Sequence, residues 1–142
     1  MANTFGNVTA LSGNANNSAN LSYTSLGIID FGANPPGECF VEVTLQASSA
    51  TAGNKQAVLY LRTSLDGTQF SAMPSATQAP NSKQFGAVSL PDATQVVSTA
   101  FPISAVLNGG LTPKVEIIVF NDCGVAFASI GQTARYRTEI FG

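Results

Sequence analysis

The stretch QAVLYLRTSLDGTQF, Gln56 to Phe70, constrains the fold more than any other part of the chain. Its first nine residues alternate, with Ala57, Leu59, Leu61 and Thr63 on one side and Val58, Tyr60, Arg62 and Ser64 on the other. That is the period of a pleated strand, not of a helix. The alternation runs into Asp66-Gly67. Gly takes positive φ freely and Asp tolerates it, so the pair suits the centre of a type I′ turn, whose twist matches that of paired strands. A β-hairpin is expected here, and with it an antiparallel all-β domain.

The same pattern recurs along the chain. Cys39 to Ala47 alternates, with Cys39, Val41, Val43 and Leu45 expected inward and Phe40, Glu42, Thr44 and Gln46 outward, as in a half-buried antiparallel strand. Leu21 to Phe31 reads as a strand with a bulge at Gly27, and the two prolines of Gly32 to Glu38 mark the loop after it. Gly86 to Leu90 and Gln95 to Ile103 are shorter strands, with Pro102 fitting an edge or a strand end. Lys114 to Phe120, Val125 to Ile130 and Thr133 to Phe141 are expected to form an antiparallel meander. Its inward residues would be Val115, Ile117, Val119, Val125, Phe127, Ala134, Tyr136, Thr138 and Ile140. No stretch carries a helical period. About eight strands of this size, with turns every 8 to 12 residues, predict an antiparallel β-sandwich, jelly-roll-like.

At 142 residues the chain suits a single core. Residues 1–20 are expected to be an extended N-terminal arm and 21–142 one sandwich domain. The arm has Phe5, Val8 and Leu11 as its apolar anchors, and Ser12 to Asn20 is too poor in apolar residues to order itself. Such an arm is expected to lie on its own sheet or on a neighbour, and to be removable without unfolding the domain. Three glycosylation-like triplets, at Asn7, Asn16 and Asn20, are read as chance matches in an Asn/Ser-rich tract. Phe70 to Phe85 is a long irregular stretch that includes Met73, and connections of that length are often functional.

Charge narrows the function. Only 10% of residues are charged, against about 25% in ordinary soluble domains. A surface of short uncharged polar groups loses little solvation when another protein covers it. Six cations and a net charge of −2 exclude the clustered basic face that nucleic acid requires. Arg135 and Arg137 share one side of a strand with Glu139 and are expected to pair across strands. No apolar run is long enough to span a membrane, and the first residues have neither the basic start nor the apolar core of a secretory leader.

The sequence holds no catalytic constellation. Without histidine there is no Ser-His-Asp or Cys-His arrangement and none of the usual zinc sets. Cys39 and Cys123, with no C-x-x-C spacing and no leader, are expected to be buried thiols. Glu42 and Glu116, each on the outward side of a strand, could be imagined as a glycosidase pair, but exposed strand carboxylates are far more often solubilising, because only a precise separation makes two of them catalytic. No cofactor is expected, and no metal. The absence of Trp and the presence of only three Tyr weaken a lectin-like reading.

The alternating strand followed by SLDGTQF, the polar start MANTFG and the charge-poor, strand-rich remainder resemble small β-rich virion proteins of tailed phages. The chain is similar to capsid decoration, or cement, proteins of the jelly-roll type. What the resemblance implies is a non-enzymatic protein on the outside of a phage head, a homotrimer clamping neighbouring major capsid subunits. Phe5, Val8 and Leu11 of the arm and Phe70, Met73 and Phe85 of the long loop are the residues expected to bind the partner. A tail or head-tail connector protein and a carbohydrate-binding adsorption module are the alternatives.

Overall fold

Alternation of apolar and polar residues writes the strands directly. In the computed structural model, which describes residues 2–64, 77–78, 82–91, 95–107, 111 and 113–141, they are β1 (Thr4–Phe5), β2 (Thr9–Ala10), β3 (Tyr23–Asp30), β4 (Glu38–Leu45), β5 (Gln56–Ser64), β6 (Lys83–Ser89), β7 (Val97–Pro102), β8 (Lys114–Asp122) and β9 (Thr133–Ile140). A single 3-10 turn, Ser104–Leu107, interrupts them. All pairings are antiparallel.

One sheet runs β1-β9-β4-β7, with β2 also on β9, and the other runs β3-β8-β5-β6. When β1 and β2 are counted as two halves of one interrupted strand, the orders become 1-8-3-6 and 2-7-4-5, the two interleaved Greek keys of a jelly roll. The N-terminal segment is thus the first strand of the fold. The inward residues of the two sheets form one core: Cys39, Val41, Val43 and Leu45 of β4 face Leu59 and Leu61 of β5 and Val115, Ile117 and Val119 of β8. The expected bulge is present, with the β3–β8 register shifting between Ser25 and Gly27 and Gly27 at φ 124°. Pro102 ends edge strand β7, opposite Phe40.

Four expectations are corrected. The C-terminal meander does not form, because β8 and β9 lie in opposite sheets and residues 123–132 cross between them. The cause is Asn121, whose fully buried amide donates to the Val125 carbonyl at 2.8 Å while its oxygen accepts from the Cys123 amide at 3.1 Å. These local bonds turn the chain out of the sheet, as Asn side chains do when they compete with a ladder. Within 125–130 Phe127 still fills the core, joined to Ala47 by one isolated bridge. Second, Ile140 is 59% exposed. It sits past the last β4–β9 pair, Glu38↔Glu139, where β9 has outrun the core.

The third correction concerns residues 11–20. They are stitched into both sheets: Leu11 donates its amide to Ala134, Gly13 to Leu26, Ala15 to Gln132 and Asn17 to Ala128, at 2.9–3.1 Å. Leu11 and Ala15 belong to the core. The segment orders because the backbone, not the side chains, supplies most of its contacts, and a composition reading does not see those. Finally, β6 starts at Lys83 and pairs with β5 from Leu61↔Lys83 onward, so Phe85 lies in a strand. Asp66-Gly67, Phe70 and Met73 lie outside the described residues.

Candidate interaction face along the first strand

Residues 2–10 are exposed throughout. Backbone pairing holds them on β9, with Thr4↔Ile140, Phe5↔Glu139 and Thr9↔Tyr136 in register. Between the two halves the Gly6 amide donates to the Thr138 carbonyl at 2.8 Å. A Cβ at Gly6 would sit 2.6 Å from the Thr138 hydroxyl oxygen, so glycine permits the close approach. Asn3 donates to Glu139 at 2.6 Å, and the Arg137 guanidinium lies over the Phe5 ring, 4.5 Å from its centroid. Phe5 and Val8 nevertheless remain 51% and 53% exposed.

Four of the eight large apolar side chains exposed among the described residues lie on this strand or on the chain end beside it: Phe5, Val8, Ile140 and Phe141. Isolated exposed hydrophobes are ordinary, whereas a cluster on one sheet edge is what an interface looks like. Further along the same face, Glu42 and Arg135 stand directly opposite and pair at 2.6 Å, which is the expected cross-strand ion pair. A concavity of about 250 Å³ opens there, lined by Val8, Phe40, Glu42, Ala100, Arg135 and Arg137.

The other expected residues go elsewhere. Leu11 is in the core, only 8% exposed, where no partner reaches it. Phe85 is half-buried and meets Phe101 edge-on at 6.0 Å, over Gly86, whose missing side chain makes room for the Phe101 ring. Phe40, Arg137, Ile140 and Phe141 were absent from the expected set. Only strand register could have added them: it puts Phe40 and Arg137 on the face of Phe5 and Val8, and Ile140, paired with Thr4, on the other face of the same edge.

Glu42 and Glu116 lie on the outer faces of opposite sheets and point away from each other, so they cannot flank one glycosidic bond. Glu116 instead pairs with Arg62 at 2.5 Å, directly across the β5–β8 ladder, and accepts from Ser25 at 3.1 Å. Cys39 and Cys123 are both free and buried, and burial, aided by the nearby Glu38, pushes the Cys39 thiol up to about 12. Among the described residues no three Cys, Asp or Glu side chains gather as a metal would need. The second sheet carries its own feature on its outer face: Tyr23 stacks on Phe120 at 4.4 Å and meets Tyr60 at 5.8 Å. Asn54 and Gln56 both donate to Asp122, at the strand end beside this strip.

No family model matches the chain, and no curated protein matches it. Among solved structures it is similar to the C-terminal domain of EclA, a sugar-binding protein. The TM-score is 0.33 and the identity 15%, over 98% of this chain and 81% of that one. A likeness so slight carries no functional argument.

Proposed function

We propose that this chain is a structural virion protein. It binds the outside of a phage capsid as a homotrimer and cements neighbouring major capsid subunits, as its resemblance to decoration proteins implies. One observation carries the reading: the first strand of the jelly roll, residues 2–10, is exposed throughout and holds Phe5 and Val8 out on the Arg137 face of the sheet, with Ile140 exposed on the other face of the same edge. Ordering nine residues costs conformational entropy that backbone hydrogen bonds offset only in part. Burial of the strand's apolar side chains against a second protein supplies the remainder.

The test is co-sedimentation of the purified protein with expanded capsids that lack it, full-length and with residues 2–10 deleted. The expected result is saturating binding by the full chain and none by the deletion, with a trimer in native mass measurement. Equal binding by both would sink the role of the strand. Rings of six or twelve without capsid binding would move the protein to the head-tail connector.

A second reading, a carbohydrate-binding adsorption module, is favoured by the Tyr23–Phe120–Tyr60 strip, since aromatic faces flanked by amide and carboxylate groups suit sugar rings. It predicts glycan binding by the isolated protein that Tyr23→Ala abolishes.

A further inference from the structure

The concavity beside the first strand has an uneven charge balance. Arg135 is occupied by Glu42 at 2.6 Å. Glu139, the next carboxylate along β9, is half of the Asn3 hydrogen bond at 2.6 Å. Arg137 has the face of Phe5 on one side and, among the described residues, no carboxylate within ion-pair reach. The other described arginines, Arg62 and Arg135, each have one. The π face of a ring attracts a guanidinium without neutralising it, and the planar fork keeps donors for a carboxylate. Around it the concavity is lined by Val8, Phe40 and Ala100 together with Tyr136 and the paired Glu42 and Arg135, and an ion pair formed against the apolar part of that lining is less screened than one in open water.

We propose that this concavity, on the outer face of the sheet where the first strand lies beside β9, is an anchor site for a carboxylate of a partner protein, read by Arg137. The occupant is an aspartate side chain with an aliphatic neighbour, because about 250 Å³ admits a short acidic side chain and one branched one. A protein donor fits better than an acidic sugar, since Val8, Phe40 and Ala100 are continuous with the apolar edge at Phe5. The site rests on the assembly reading for its purpose but not for its existence.

The experiment is an NMR titration of the isotope-labelled full chain with the peptide Ac-Ala-Asp-Val-amide, its Asn counterpart and N-acetylneuraminic acid. Saturable shifts at Arg137, Phe40 and Val8 with the Asp peptide are expected. The Asn peptide and the Arg137→Gln variant should each bind about tenfold more weakly or worse, the loss of one charge-assisted hydrogen bond. Arg137 is exposed, so the variant should keep the parent's spectrum elsewhere. Equal responses to the Asp and Asn peptides, or no response at Arg137, would overturn the site; tighter binding of the sugar acid would overturn the protein assignment. Asp-peptide binding by a chain that ignores capsids would support the site and remove the capsid reading.

Discussion

Two deletions separate what the N-terminal segment does for the fold from what it does for binding. Removing residues 2–10 takes away an edge strand whose side chains are all exposed; what is lost is backbone pairing, the Asn3–Glu139 hydrogen bond and the Phe5–Arg137 contact, and exposed contacts net of ordering entropy are worth little. Removing 2–20 also takes Leu11, 8% exposed, and Ala15, fully buried, from the core. A buried leucine cut back to alanine costs about 3–5 kcal/mol, and a buried methyl group adds about 1 kcal/mol. Total stability is about 5–15 kcal/mol for a domain. At roughly 2–4 °C per kcal/mol for a chain of this length, the shorter deletion should melt within about 3 °C of the parent. The longer one should lose about 10–20 °C or fail to fold. Circular dichroism melts of the two deletions and of Leu11→Ala decide the matter. A 2–20 deletion that melts with the parent would show that the closing segment contributes nothing to the core, and would restore the expectation of a removable arm. A 2–10 deletion as damaging as the longer one would show that the outer half is structural.

Gly13→Ala should cost about 1–3 kcal/mol in denaturant unfolding, because its Cβ would fall 2.7 Å from the Leu26 carbonyl carbon, backbone that cannot step aside; an unchanged midpoint would refute the seating of the segment on β3. Glu116→Ala should lower stability by about 3–5 kcal/mol, since it takes the carboxylate from an arginine whose side chain is only 9% exposed. A loss under 1 kcal/mol in urea titration would mean the pair is effectively solvated. The Cys39 thiol, pushed up to about 12 from an ordinary 9.0, keeps its proton in the native state where the unfolded chain has begun to lose it. Stability should therefore be indifferent to this group below pH 9 and fall as pH rises from 9 toward 12. Cys39→Ala should flatten that alkaline limb in a series of melts, and an identical limb in the variant would exclude the thiol as its source.

The sheets were legible where one residue pattern had one meaning. In β4 and β8 the alternation named the inward residues correctly, from Cys39 to Leu45 and from Val115 to Val119. At Val125 to Ile130 the same alternation again named the inward residues, Val125 and Phe127, but not the pairing, because Asn121 turns the chain out of the sheet before a ladder can start. Alternation failed at Ile140, because side-chain period says nothing of how far a strand outruns its core. Composition misjudged Ser12 to Asn20 for a related reason. A segment with few apolar residues can still be held by amides and carbonyls, and those are the same in every sequence.

The candidate face was legible only in part, and the boundary falls at Leu11. On its N-terminal side, Phe5 and Val8 are apolar residues with no local use, and the sequence exposes that mismatch without help. On its C-terminal side, Leu11 and Ala15 look no different in the sequence yet close the sandwich. Arg137 and Phe40 enter the face by register alone, since β9 lies between the first strand and β4 and so carries both to the same surface. It follows that the strand proposed to bind the partner and the lock of the fold are one continuous segment, and a partner that took hold of residues 2–10 would pull directly on the residues that close the core. Binding there should raise the melting temperature of the full chain and leave that of the 2–10 deletion unchanged, and an equal rise in the deletion would place the partner elsewhere.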